Sequence, residues 1–372
     1  MIYFDNAATT YKKPLCVYKA LHSSLKSLSA NPGRSSHKAA ILASEAVYNS
    51  RVSVADLFNC EPDQVVFTYN ATYALNMAIK TLIKEKCHII ISDLEHNSVF
   101  RVIKGLEKEL GVEYSIFNSD ALTENELKRH LRNDTRAIVS TLASNVTGKV
   151  IDEKILSDFA KKNRLSLILD ASQAAGHRAI NLRELEYYAI CAPGHKGLFG
   201  IMGCGFSIFG NKCINKSFME GGSGSDSLSP FMPDYLPDRL EAGTLGLPGI
   251  VALSKGTEFV KKMGEEEIEE KLFCLTKTAL DRFNEIKGIK VYGGDSGIIS
   301  FSLSNIASSA AADQLDRYGI AVRGGLHCSP LAHKKLGTLE CGLVRISFSI
   351  FNKKSEIDKL YYSLKNITNA NF

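Results

Sequence analysis

The sequence predicts an α/β protein: a large lobe built on a mainly parallel sheet with helices on both faces, followed by a smaller α+β lobe. Three observations predict it. Between about residues 60 and 210, short apolar runs rich in β-branched residues alternate with stretches of helical period, the pattern of strands joined by crossover helices. Several of those runs are apolar on both faces, as buried parallel strands require. After a Gly/Ser/Pro-rich stretch at 220–230 the character changes to long charged helical segments, and 372 residues exceed what one core usually organises.

In order, the strand candidates are residues 65–68, 87–92, 112–117, 137–142, 165–170, 188–192 and 205–209, seven in all. Helices are expected between them at 72–83, where Leu75, Ile79 and Leu82 share a face, and at 99–110, 124–131 and 153–163. The stretch at 220–230 reads as a connecting loop. Helices follow at 247–263 and 265–286, then short strands and a closing helix from Ser355. The mixed run at 261–271 reads as a solvated helix face. The large lobe is expected to span 14–245, with 1–13 and 246–372 forming the small one.

Composition excludes several classes of function. No run approaches the roughly 18 apolar residues of a membrane span, and the start, Met1 to Thr10, lacks the basic and apolar regions of an export signal. Nine cysteines at irregular spacing form no CxxC pair, so reduced thiols in the cytosol are expected rather than disulfides or a zinc site. An ordinary intracellular cysteine is a buried, inert small hydrophobe, and all of these but Cys328 are expected to be so. A net charge of +5 on scattered lysines gives no nucleic-acid stripe.

In open α/β sheets ligands sit beyond the carboxyl ends of the strands. Three junctions there carry chemistry. Thr68-Tyr-Asn-Ala-Thr72 opens a helix, offering backbone N–H groups and a positive dipole end to a phosphate; a threonine there also reads as an N-cap. Asp170, ending a buried run, should face a cation or donor, since an unpaired buried carboxylate is costly; a helix cap explains it as well. Lys196, in Gly194-His195-Lys196-Gly197, is hemmed by glycines just past a strand, the setting of a depressed pKa and Schiff-base chemistry.

These motifs, together with Tyr3-Phe-Asp-Asn-Ala-Ala-Thr-Thr10, Asn31-Pro-Gly-Arg34 with His37, Leu94-Glu-His96, Ser144-Asn145, Asp170-Ala-Ser-Gln173, Arg239-Leu-Glu-Ala-Gly-Thr244, Arg323-Gly-Gly-Leu-His-Cys328 and Arg345, resemble the cysteine desulfurase and selenocysteine lyase family. These are fold-type I, class V aminotransferase-like enzymes that use pyridoxal 5'-phosphate. The resemblance runs nearly end to end. It implies that Lys196 holds the cofactor, Asp170 pairs with its ring nitrogen, Gln173 donates to its ring hydroxyl oxygen and His96 stacks on the ring. Ala71, Thr72 and His195 would hold the phosphate, with Thr244 reaching it from a partner subunit of a homodimer with shared active sites. Arg345 would bind the substrate carboxylate as a bidentate fork, with Asn145 assisting; for Asn145 and His96 taken alone, loop-capping roles fit equally. Cys328 would take sulfur from cysteine, and it follows glycines that permit movement and an Arg and a His that favour the thiolate. Alanine would leave, and the persulfide would pass to an acceptor protein or thiol. His333 is a candidate for proton transfer or loop structure.

Two positions depart from the family pattern. Pro193 stands where relatives carry a Ser or Thr that bonds phosphate, and Leu142 stands where a His often precedes Ala-Ser-Asn. Alternatives with the same residues are selenocysteine as substrate, transamination or β-elimination without a persulfide, and a cofactor-fold protein kept as a partner-binding module.

Overall fold

The computed structural model describes residues 1–33, 35–210 and 216–369; Arg34 and Cys213 lie outside the described residues. The chain begins with strand β1 (Ile2–Tyr3) and helices α1 (Leu15–Ser27) and α2 (Lys38–Phe58). The alternation expected from the sequence follows as β2 (Val65–Thr68), α3 (Ala71–Leu82), β3 (His88–Ser92), α4 (Asn97–Leu110), β4 (Glu113–Phe117), α5 (Glu124–Lys128), β5 (Thr135–Thr141), α6 (Glu153–Lys162), β6 (Ser166–Asp170), β7 (Ala189–Pro193) and β8 (Gly205–Phe209). All seven strands fall on the expected segments. They form one sheet in the order β2-β8-β7-β6-β5-β3-β4.

The pairs β3–β4, β3–β5, β5–β6 and β6–β7 are parallel, whereas β8 is antiparallel to both neighbours. The link between β7 and β8 contains no helix, and a parallel pair needs a crossover that an antiparallel pair does not. Alternate side chains enter two separate cores. Ile90, Ile138, Leu167 and Leu169 face one, while Ile89, Ile91, Val139 and Ile168 pack with α3 and α4 on the other. Burial of both faces is why these strands read as continuous apolar runs. From β3 the chain steps outward to β4, then returns past β3 to β5 and onward, which opens a crevice at the carboxyl ends of β3 and β5.

Beyond residue 246 come α7 (Leu247–Met263), α8 (Glu265–Phe283), β9 (Ile289–Tyr292), β10 (Ile298–Leu303), α9 (Ser308–Arg317), β11 (Ile320–Ala321), β12 (Arg323–Gly325), α10 (Pro330–Leu336), β13 (Leu343–Ser347) and α11 (Lys354–Asn369). Strands β12, β13, β10 and β9 form an antiparallel sheet, and β1 pairs in parallel with β11, so the first residues join the C-terminal elements. Helix α7 packs along α1 and α2. Three glutamates, Glu265, Glu266 and Glu267, occupy the first turn of α8, where the helix dipole favours negative charge.

Candidate active site

The carboxyl ends of β2, β3, β5, β6 and β7 converge on a cavity of about 120 Å³. Ala71, Thr72, His96, Asn145, Asp170, Gln173, His195 and Lys196 all line it, with Ser98, Thr141 and Pro193 among their neighbours. At its β2 side Asn70, not Thr72, is the N-cap of α3, accepting from Tyr73 N–H at 2.9 Å. The threonine therefore does no capping and lines the cavity from the first turn of the helix.

His195 is held by the N-terminal segment. Its Nδ1 bonds Thr9 Oγ1 at 3.0 Å, and its carbonyl accepts from Thr10 N–H and from Lys13 Nζ. Burial, reinforced by Lys196 and Lys13, lowers its pKa to about 4, and burial lowers the Lys13 amine to about 8. The Lys196 amine is likewise pushed down to about 8, chiefly by burial, with Arg345 and Arg323 adding to the shift and Asp170 opposing it. The glycine after it is required: a Cβ on Gly197 would meet the Ala175 carbonyl at 2.3 Å. Thr10 Oγ1 donates to the Lys196 carbonyl at 2.6 Å and fixes the turn. Thr10 and Lys13 were not singled out by the sequence, because their roles arise from a contact across more than 180 residues of chain.

Asp170 ends β6, is 2 % exposed, and accepts from Ser172 N–H at 2.9 Å. Among the described residues no α-helix follows it before α7, and it caps none of them. Gln173 is 4 % exposed. Its Nε2 donates to the Ala7 carbonyl at 3.0 Å, which leaves Oε1 buried without a partner among the described residues. The free end therefore accepts a hydrogen bond, whereas the sequence suggested a donor. His96 joins its two readings: Nδ1 caps α4 by accepting from Ser98 N–H at 3.0 Å, while the ring lines the cavity. Burial lowers its pKa to about 4, so the ring is neutral with its proton on Nε2. Beside it Glu95 is fully buried and raised to about 8 by that burial. Its Oε1 accepts from Thr141 N–H at 2.8 Å and from Ser92 Oγ.

Cys328 lies outside this cavity, in an adjoining groove of about 330 Å³ that shares Thr72, His96 and Ser98 with it. Its thiol is exposed, with Arg323 Nη2 at 4.0 Å from Sγ. Two expectations for this segment need correction. Gly324 and Gly325 do not form a mobile loop; they belong to β12 and pair with Val344 and Leu343 of β13. A Cβ on Gly324 would meet the Ser308 carbonyl at 2.5 Å. His327 supplies no positive charge to the thiol, because burial lowers its pKa to about 2 and its Nε2 donates to the Leu343 carbonyl at 3.1 Å. His333 is fully buried, bonded through Nδ1 to Thr338 Oγ1 at 2.8 Å, a structural position.

Arg345 is 1 % exposed on β13 and is not among the lining residues. Its Nη2 pairs with Asp5 at 2.7 Å and its Nη1 donates to the Asn145 carbonyl at 2.9 Å, while Nε has no partner among the described residues. Thr244 is exposed and lines a different pocket, near Tyr69 and Glu241. Pro193 lines the main cavity; Leu142 is core, not pocket. Of the other cysteines, Cys87, Cys191 and Cys204 are buried as expected, but Cys16, Cys274 and Cys341 are exposed and Cys60 is half-buried. No disulfide forms among the described residues.

The model of the aminotransferase class-V family matches residues 2–360. The chain belongs to that family. Among its relatives, a probable cysteine desulfurase of Methanothermobacter thermautotrophicus is 29% identical, covering 98% of this chain and 94% of the relative. A cysteine desulfurase of Wigglesworthia glossinidia brevipalpis is 29% identical, covering 98% and 92%. The apo structure of the cysteine desulfurase from Thermococcus onnurineus NA1 superposes with a TM-score of 0.90 at 25% identity, over 99% of this chain and 95% of that one. The class-V fold is that of pyridoxal-phosphate enzymes, and the cavity fits the group: an enclosed amine, a carboxylate at a strand end, an unpartnered amide oxygen and an open helix start surround one space.

Proposed function

We propose that this chain is a cysteine desulfurase that removes sulfur from L-cysteine, giving L-alanine and a persulfide on Cys328. The observation that carries this is a juxtaposition: an enclosed amine of lowered pKa and a carboxylate in one cavity, with an exposed thiol in the groove sharing that cavity's rim. Lys196 would hold pyridoxal phosphate through its amine, Asp170 would pair with the ring nitrogen, and Gln173 Oε1 would accept from the ring hydroxyl. The neutral His96 ring would cover the face, and Ala71, Thr72 and His195 would take the phosphate. When bound, the cofactor supplies a sink for the electron pair left on the substrate α-carbon.

Lys196 would take the α-proton and later return a proton to the three-carbon fragment. Cys328 attacks the substrate sulfur as a thiolate. An S–S bond forms, the Cβ–S bond breaks, and its pair stays with the fragment that leaves as alanine. Arg345, engaged by Asp5 and the Asn145 carbonyl, would take the substrate carboxylate as a fork by exchanging those contacts. Arg323 lies beside Sγ, its Nη2 at 4.0 Å.

Thr244, exposed and remote from its own chain's cavity, would complete the phosphate site of a second copy in a homodimer. The persulfide would pass to a thiol acceptor. Among the described residues no helix is long and apolar enough to cross a membrane, and free thiols fit a reducing compartment such as the cytosol.

The test is incubation with cysteine and with selenocysteine, measuring alanine beside the released chalcogen. Stoichiometric alanine and sulfide from cysteine, with sulfur on Cys328 by peptide mass, is the expected result. Pyruvate and ammonia in place of alanine, or turnover confined to selenocysteine, would overturn it.

A further inference from the structure

Ser329 directly follows Cys328 and stands at the N-cap of α10, where a serine hydroxyl ordinarily accepts from a backbone N–H of the first turn. Here it makes no such cap. The residue has no exposed surface, and its Oγ donates to Oδ1 of Asn145 at 2.6 Å. The other end of that amide, Nδ2, donates to the His327 carbonyl at 2.7 Å. One side chain in the loop after β5 thus grips the residues on either side of Cys328. The Cys328 carbonyl is itself held by Asn97 N–H at 2.8 Å.

The backbone gripped in this way is one the chain would not adopt unaided. His327 and Cys328 have φ of 50° and 59°, two successive non-glycine residues in the left-handed region. Such a conformation persists only where surrounding bonds over-determine it. The main-chain carbonyl of the same Asn145 accepts from Arg345 Nη1. A single residue therefore ties the buried guanidinium to the thiol segment.

We propose that Ser329 is a positioning residue for sulfur transfer. Its hydroxyl, diverted from helix capping, fixes the Asn145 amide in the orientation that pins His327 and sets Cys328 at the rim beside His96. The proposal rests on the sulfur-accepting role of Cys328. Removing the hydroxyl frees one end of the amide and lets the strained pair relax, so the thiol is no longer held at the distance its attack requires, an error to which such steps are sensitive.

The experiment compares wild-type holoenzyme with Ser329→Ala and Ser329→Thr. Three quantities are read: steady-state kcat and KM for cysteine, persulfide formed on Cys328 in a single turnover, and hydrogen–deuterium exchange without substrate. For Ser329→Ala the expected result is a fall of about tenfold in kcat and in the single-turnover persulfide rate. KM and cofactor absorbance stay within twofold, and exchange over residues 326–330 is at least fivefold faster. Ser329→Thr, which keeps the hydroxyl, recovers kcat to within about threefold. Wild-type rates and exchange in Ser329→Ala, or a loss of cofactor that threonine does not repair, would overturn the positioning role while leaving the sulfur chemistry intact. Absence of persulfide on Cys328 in the wild type would overturn both.

Discussion

Burial lowers the Lys196 amine to about 8, so near neutral pH a useful share of it is uncharged and able to attack an aldehyde. The charge of Asp170 opposes that shift by favouring the ammonium form. Replacing Asp170 with Asn therefore lowers the pKa further, and the midpoint of the pH dependence of pyridoxal-phosphate uptake moves down; an unchanged midpoint would show that Asp170 does not face the amine. Glu95 has the opposite character. Its carboxyl is raised from an ordinary value near 4.5 to about 8, so the folded state favours its neutral form. That contribution to stability is complete below pH 4.5 and is lost as pH rises toward 8, at up to about 1.4 kcal/mol per pH unit. Glu95→Gln should flatten the decline in Tm between pH 6 and 8, and parallel declines in both proteins would contradict the assignment. The lowered pKa of Lys196 was expected from the sequence; the raised one of Glu95 was not. Lys196 drew attention through its glycines, but Glu95 stands out only once Ser92, Thr141 and Asp170 are gathered around it.

At the level of elements, the seven strands were legible because burial on both faces writes itself as consecutive apolar residues. The direction of β8 was not, since it depends on a link that carries no helix. The segment 323–336 shows the same division more sharply. Its glycines suggested a flexible loop, yet β12 is laid against β13 and α10 is tethered by Lys335, which reaches Asp93 at 2.8 Å and Asp120 at 2.7 Å. A glycine that permits movement and one that permits close backbone approach look alike in a sequence; only the Ser308 carbonyl beside Gly324 separates them. Lys335 and Asp93 are mostly buried, so Lys335→Ala should cost about 1 kcal/mol by denaturant unfolding and quicken amide exchange across α10. A loss within error of zero would mean that the Lys335 ion pairs do not hold α10 in place.

At the level of the whole molecule, the cavity of one chain already gathers most of the residues the sequence singled out, while Thr244 lies apart from it near Tyr69, and the chain also leaves Phe231, 80 % exposed, and Leu228 open to solvent. Burial of those groups against a second copy would bring Thr244 into the partner's phosphate site. Mixing Lys196→Ala with Thr244→Ala subunits should then restore activity that neither homodimer has, because one of the two shared sites in the mixed dimer is intact; mixed dimers without recovery would contradict sharing. The order of motifs along the chain pointed to the residues that this cavity gathers, because the fold presents them at successive strand ends. What it could not show was which groups are already engaged, such as Arg345 with Asp5. The central claim is that one amine, at position 196, carries the cofactor. Borohydride reduction of the holoenzyme followed by peptide mapping tests it most directly: a single phosphopyridoxyl label on the peptide containing Lys196 is expected, and a label elsewhere, or none after supplementation with pyridoxal phosphate, would contradict it.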